Sequence, residues 1–253
     1  MVNRNNNLVF LSVSVFLVCE LLQINDEKWM YFIVSSLLVL NISYICSFAV
    51  YIYTIDIFAL ALLFALLSVF LFVFYKYSLV SIILSSVSLS ISMGLYQSYF
   101  AVAVALFVII FIRHILSDKL EIKDYLVLIV KEIVCVLSSG VLYKTSLDLV
   151  QTIMHVDPNF DAYDTFSNIY KLNINSIINF IPDCYSKLFS FFLADKMYES
   201  RIFILMNTII LIIGIASYVY CFFCITTTTI RKIFLILSIA FFPMLNFLEN
   251  VTS

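Results

Sequence analysis

From Leu79 to Ile112 the chain carries no charged side chain. As a single α-helix this stretch would measure about 50 Å at about 1.5 Å per residue, against a bilayer hydrocarbon core of about 30 Å. It must therefore fold back, or tilt and break. The polar interruption is Gly94-Leu95-Tyr96-Gln97-Ser98-Tyr99, and a tight turn between two helices is predicted there.

The rest of the chain follows the same logic. Hydrophobic residues make up 64% and charged residues 12%, whereas a soluble domain runs nearer half apolar and about a quarter charged. One water-soluble core cannot hide that much apolar surface, so lipid must cover the remainder. Only 3 Gly and 3 Pro are present, and the apolar runs are continuous rather than alternating, which disfavours a membrane barrel. Helices satisfy their backbone polar groups internally in lipid. The expected fold class is all-α: a polytopic transmembrane helical protein of about eight spans, forming one transmembrane domain over residues 1–253. The spans are read near 8–24, 29–53, 57–75, 79–95, 97–112, 126–147, 202–224 and 233–249. A long non-spanning region, about 148–201, holds an acidic stretch and an amphipathic segment, Ile174–Ala194.

Orientation follows from Lys and Arg. With Tyr96–Tyr99 outside, Lys28, Lys76, Arg113, Lys119, Lys123, Arg231 and Lys232 all fall on cytoplasmic joints, and 148–201 is external. Arg4 disagrees if 8–24 crosses the bilayer; Glu20 within that segment argues against the crossing. Residues 1–24 have the charge-then-apolar order of a signal peptide without a small-x-small cleavage site, so an uncleaved segment is expected. The 6 cysteines are scattered, and Cys221-x-x-Cys224 lies inside a span, where thiols serve packing.

Soluble catalytic motifs are missing. There is no Gly-rich phosphate loop, His114 and His155 lie far apart, no cluster has metal spacing, and no basic patch suggests nucleic acid. Two patches carry chemistry. Tyr96-Gln97-Ser98-Tyr99 sets two aromatic rings, an amide and a hydroxyl at a bilayer edge. Rings stack on sugars and an amide both donates to and accepts from sugar hydroxyls; the same residues also read as an interfacial aromatic belt. The second patch, Asp157 to Asp164, holds Asp157, Asp161 and Asp164 beside Tyr163. It suits a general base or a cation, and equally a hydrated external loop. Lys131 and Glu132 sit near the cytoplasmic end of a span, as an intramembrane functional pair or as a snorkelling lysine and its neighbour. Asp56 falls at a joint and calls for no special reading.

The stretch Ser90-Ile91-Ser92-Met93-Gly94-Leu95-Tyr96-Gln97-Ser98-Tyr99 resembles bacterial membrane glucosyltransferases of the glucosyltransferase-II, O-antigen-modifying family, which carry a Ser-rich span ending in Tyr-Gln. Gly140-Val141-Leu142-Tyr143-Lys144 is similar to that family's Gly-x-x-Tyr stretch, Ala162-Tyr163-Asp164 to a tyrosine in its next external loop, and Pro243-Met244-Leu245-Asn246-Phe247 to a late span. The resemblance implies a GT-C-like fold in a bacterial inner membrane. It implies transfer of glucose or a similar hexose from a polyprenyl-phosphate donor to a surface polysaccharide, without a cofactor, alongside a lipid-sugar flippase. It carries Tyr96 and Gln97 over as motif positions, read with Tyr99 and Tyr163 as substrate-binding residues, but it carries over no catalytic base; Asp157, Asp161 and Asp164 are candidate catalytic acids from the acidic patch itself. The family's usual acid lies in the first external loop after the first span, and nothing before residue 25 supplies one; the chain then reads as an N-terminally truncated member. Rival readings are a transporter or flippase for an amphiphilic substrate, and a non-catalytic membrane protein.

Overall fold

The structure, a computed structural model, describes residues 5–24, 28–39, 55–117, 122–155, 182, 184–186, 190, 201–225 and 228–241. The described elements are helices, with no strand among them. They are α1 (Asn5–Leu22), α2 (Lys28–Val39), α3 (Ile55–Phe74), α4 (Leu79–Leu95), α5 (Tyr99–Leu116), α6 (Ile122–Met154), α7 (Arg201–Tyr220), continued by a π-helical turn at Cys221–Ile225, and α8 (Thr229–Phe241). Three are long and apolar enough to cross a membrane: Ile55–Phe74, Tyr99–Leu116 and Lys123–Met154. The segments Asn7–Leu22, Lys28–Leu38, Leu79–Leu95 and Thr208–Cys224 are shorter apolar helices.

Two compact units divide the chain: 1–110 with 126–163, and 111–125 with 164–253. In the first, α3 and α4 form an antiparallel hairpin. Its joint contains no glycine, yet Lys76 (φ 51°) and Tyr77 (φ 58°) are left-handed. Lys76 N–H donates to the Val73 carbonyl at 3.0 Å and Tyr77 N–H to the Phe72 carbonyl at 3.2 Å, so the last carbonyls of α3 are capped by a Schellman motif. The apolar contact that accompanies this motif is the edge-on Phe72–Tyr77 ring pair, 5.2 Å between centroids. Ser78 then starts α4 by accepting from the Ser81 N–H at 3.2 Å. The end of α1 uses the same cap. Gln23 is left-handed (φ 52°), and Ile24 N–H reaches back to the Cys19 carbonyl at 3.0 Å.

Small residues let α3 and α4 approach closely. Ala61, Ala65 and Ser68 on α3 and Ser81, Ser85, Ser88 and Ser92 on α4 are all buried, at helical spacings of three and four that line one face. Two of those serines bond across the seam. Ser88 Oγ donates to the Phe64 carbonyl at 2.9 Å and Ser92 Oγ to the Ala61 carbonyl at 2.8 Å. On the other side α4 meets α6, where Ser86 Oγ lies 2.6 Å from Ser138 Oγ and donates to the Cys135 carbonyl at 3.1 Å. Cys135 Sγ donates to Ser85 Oγ at 3.0 Å.

Beyond these seams the helices bare apolar side chains. On α6 alone Leu126, Val130, Ile133, Leu137 and Val141 are each more than half exposed. Contiguous apolar surface of this kind belongs against lipid rather than water. The predicted break near residues 94–99 is present, since α4 ends at Leu95 and α5 begins at Tyr99. The end of the sixth span differs most from expectation among the described helices. The span read at 126–147 is part of a helix that runs on to Met154. No Gly or Pro interrupts residues 148–154, a Lys144–Asp148 ion pair (3.0 Å) spans the turn, and the helix stops where His155 turns left-handed at φ 53°.

In the second unit, Phe111, Tyr125 and Phe234 form a cluster of rings with centroids 5.8 to 6.1 Å apart. The Tyr125 hydroxyl donates to the His114 carbonyl at 3.3 Å, and the Tyr185 hydroxyl to the Ala240 carbonyl at 2.6 Å. Lys232 lies over the Phe222 ring, 5.2 Å from its centroid.

Candidate functional site

The turn between α4 and α5 gathers the chemistry of the first unit. Tyr96 leaves the helix in extended backbone (φ −161°), its N–H still held by the Ser92 carbonyl at 2.9 Å. Tyr99 and Phe100 N–H groups donate back to the Tyr96 and Gln97 carbonyls at 3.3 and 3.0 Å. Three residues thus reverse the chain, and their side chains point away from a fixed backbone. The Tyr96 ring packs edge-on against Phe58 of α3, 4.6 Å between centroids, and against Tyr99 at 5.3 Å. Each such pair contributes about 0.5–1.5 kcal/mol beyond area burial. Phe58 is buried, whereas Tyr96 is 37% exposed, so part of its surface is open to a ligand.

Gln97 is half-buried. Its Nε2 donates to the Tyr143 hydroxyl of α6 at 2.6 Å, and Tyr143 is itself buried. The two residues that the sequence placed in separate motifs therefore meet directly.

A third group at this end was passed over by the sequence reading. Asp56 stands in the first turn of α3, two residues before Phe58. Its Oδ1 is buried without a hydrogen-bond partner among the described residues. The positive end of the α3 dipole favours a carboxylate here. A buried, unbonded carboxylate oxygen is costly, of the order of 1–3 kcal/mol, and such costs collect at functional sites. The other orphaned oxygen of this kind, Glu132 Oε1, lies eleven residues before Tyr143 on α6, about 16 Å along the axis. Only Asp56 belongs to the Tyr96–Gln97 end. Lys131 beside Glu132 forms no ion pair with it among the described residues.

Tyr96, Gln97 and Tyr99 are thus brought together, and Tyr143 and Phe58 join them; Asp56 stands at the same end of α3, two residues before Phe58. Asp157, Asp161, Asp164 and Tyr163 lie outside the described residues, as does nearly all of the amphipathic segment 174–194. Lys144, next to Tyr143, pairs with Asp148 of its own helix. No group of three or more His, Cys, Asp or Glu fit to hold a metal occurs among the described residues. Cys221 and Cys224 lie on the π-helical turn and form no disulfide among the described residues; Cys224 is exposed.

The family model described as glucosyl transferase GtrII matches residues 6–250. The chain belongs to this family. It is therefore a helical membrane protein of a glycosyltransferase family. No curated protein matches it, and no solved structure does. The match runs through all eight described helices, so the turn at 96–98, the α3 N-terminus and Tyr143 all fall within it.

Proposed function

We propose that this protein is a GT-C-like glycosyltransferase of a bacterial inner membrane, crossing it about eight times, with its site at the outer ends of α3, α4, α5 and α6. It transfers glucose, or a similar hexose, from a polyprenyl-phosphate carrier to a surface polysaccharide. It needs no cofactor, and a lipid-sugar flippase supplies the donor on the outer face. The observation that carries this reading is the buried Oδ1 of Asp56, without a hydrogen-bond partner among the described residues, two residues before the Phe58 ring that packs on Tyr96.

The chemistry follows from placement. A polyprenyl carrier keeps its sugar phosphate at the membrane surface, so the residues that recognise the sugar belong at helix ends. Tyr96 and Tyr99 offer ring faces and Gln97 an amide. Asp56 Oδ1 accepts the proton of the acceptor hydroxyl as that oxygen attacks the anomeric carbon. The carbon–oxygen bond to the phosphate breaks, and the polyprenyl phosphate departs as a stable anion. One displacement inverts the anomeric centre. Lys144 is a cation near this end, able to exchange Asp148 for the departing phosphate.

The sidedness of the charges supports Asp56 as base. Lys28 inside and a span at 29–53 bring Asp56 outside, at the joint following that span.

The test is transfer of labelled glucose from polyprenyl-phosphate glucose to surface glycan in membranes of equal protein content. Asp56→Asn should reduce transfer about a hundredfold or more. A triple Asp157, Asp161, Asp164→Asn variant should retain it within about twofold, since surface substitutions away from a site are nearly neutral. If the triple variant fails and Asp56→Asn does not, the base belongs to the acidic loop. Indifference to both removes the site as proposed.

A further inference from the structure

Glu132 is the second acid with a carboxyl oxygen buried and without a hydrogen-bond partner among the described residues, and the transfer chemistry makes no use of it. Its depth is set by α6. Lys123 and Lys144 stand about 30 Å apart along the helix axis, one hydrocarbon thickness. Glu132 lies between them, about 14 Å from Lys123. Among the described residues no ion pair reaches it. α4, which meets α6 through its serines, carries no charged side chain. α5 has Arg113 and His114 in its last turn, and the one acid of α3, Asp56, stands in its first turn at the end that carries Tyr96. On α6 itself Lys131 is the next residue, turned about 100° away, while Lys123 and Asp124 lie more than two turns off. What the α4–α6 seam offers is neutral. Cys135 shares the Glu132 face about one turn on. Its Sγ lies 3.0 Å from Ser85 Oγ, and its carbonyl receives the hydroxyls of Ser86 and Ser138 at 3.1 and 3.0 Å. Such dipoles orient toward a charge without cancelling it.

An isolated carboxylate in a medium of low dielectric costs far more than the same group with its charge cancelled, and an ionisable group at such a depth marks a site. Glu132 therefore calls for a cation, and no side chain supplies one at ion-pair distance among the described residues. The ligand is small, because the oxygen is already sealed from solvent. It is singly charged, because one carboxylate cancels one charge. We propose that Glu132 is the acidic half of a monovalent-cation site inside the membrane, taking a proton or a sodium ion at the α4–α6 seam. The site stands apart from sugar transfer, since Tyr143, which meets the Gln97 turn, is about 16 Å further along α6. Its effect is on the fold: a filled site relieves the buried charge, and an empty one leaves it.

The first measurement is thermal melting of the detergent-purified protein beside Glu132→Gln, whose amide has the same shape and no charge. Above the dissociation constant of the site, the native Tm should rise by about 3–5 °C for each tenfold increase in the cation. The variant should lack that dependence. Lowering the pH at constant salt titrates in the proton. Replacing choline chloride by sodium chloride at constant pH and ionic strength titrates in sodium. An excess dependence of the native protein on pH alone names the proton, and one on sodium names the metal ion. The same dependence in native and variant protein, or none in either, overturns the site. The second measurement needs no variant and decides the matter if Glu132→Gln fails to fold. Dicyclohexylcarbodiimide partitions into lipid and adds to a carboxylic acid. The acid's proton passes to one carbodiimide nitrogen, its oxygen joins the central carbon, and the acyl group then migrates to nitrogen as a stable N-acylurea. Peptide mass spectrometry of treated membranes should find this adduct at Glu132. It should form more slowly as the pH rises or, for a sodium site, as sodium is added at fixed pH. No adduct at Glu132, or one whose rate ignores both pH and sodium, overturns the proposal.

Discussion

The α3–α4 seam can be probed at Ser92, where two substitutions separate a hydrogen bond from a fit. Ser92 is wholly buried, and its Oγ sits 2.8 Å from the Ala61 carbonyl of the facing helix. Ser92→Ala removes only that bond. The Ala61 carbonyl lies mid-helix in α3 and retains its own i+4 donor, so nothing is orphaned. Interhelical side-chain bonds in membrane proteins average about 0.6 kcal/mol, which corresponds to a fall in Tm of about 1–2 °C at this chain length. Ser92→Leu puts three carbons where a single hydroxyl oxygen already touches backbone. Overpacking costs about 1–3 kcal/mol, a fall of about 2–12 °C at this length. The Ser92 carbonyl also caps the Tyr96 N–H at 2.9 Å, so pushing α4 away from α3 shifts the turn that carries Tyr96 and Gln97. Ser92→Leu should therefore lose transfer out of proportion to its stability loss, and Ser92→Ala should not. Thermal melting of the detergent-purified protein, with transfer measured well below Tm, checks both. Equal, small effects of the two substitutions would mean that α3 and α4 are not in close contact at this level.

Two further outcomes are expected. In a cysteine-free background, Ser98→Cys should react with an impermeant maleimide in intact cells and Ser117→Cys only after permeabilisation, as the Lys/Arg distribution requires; the reverse pattern inverts the topology. Phe58→Ala removes the ring that holds Tyr96 at 4.6 Å; it should raise KM for the lipid-linked donor severalfold with a smaller change in kcat, and unchanged donor kinetics would show that Tyr96 needs no such support.

The broad architecture was legible because lipid imposes few solutions. A charge-free run longer than the bilayer is thick must break, and the polar residues 96–98 were the place for it. The joints were legible in the same way, though not their geometry. Nothing in Lys76-Tyr77 announces two consecutive left-handed residues; the motif is stabilised by the Phe72–Tyr77 ring contact, which sequence spacing does not reveal. The serines of α4 stand at 81, 85, 88 and 92, a spacing available from the outset. Their number drew attention to composition, while their period was the more telling signal, since it lines one face with residues small enough to admit α3.

Asp56 shows why the site was harder to read than the fold. An acid at the head of a helix after a polar joint is ordinary in any membrane protein, being favoured by the helix dipole and by water at the interface. Three carboxylates in eight residues, Asp157 to Asp164, look more like chemistry by density alone. Under the proposal made above, catalytic use depends on a different property: whether a carboxylate oxygen is buried without a partner among the described residues, as Asp56 Oδ1 is, at the end that carries Tyr96 and Gln97. That property is tertiary. It requires Ile55–Phe74 to pack against Leu79–Leu95 closely enough for Phe58 to reach Tyr96, which the small residues of the seam permit and bulkier ones would prevent. The part that sequence does supply is sidedness. With Lys28 expected on the cytoplasmic side and a span expected over 29–53, residue 56 falls on the same side as residues 96–99. An acid on the aromatic side of the membrane is therefore a better starting point than the densest acidic run, and the paired Asp56→Asn and triple Asp→Asn comparison decides between the two criteria directly.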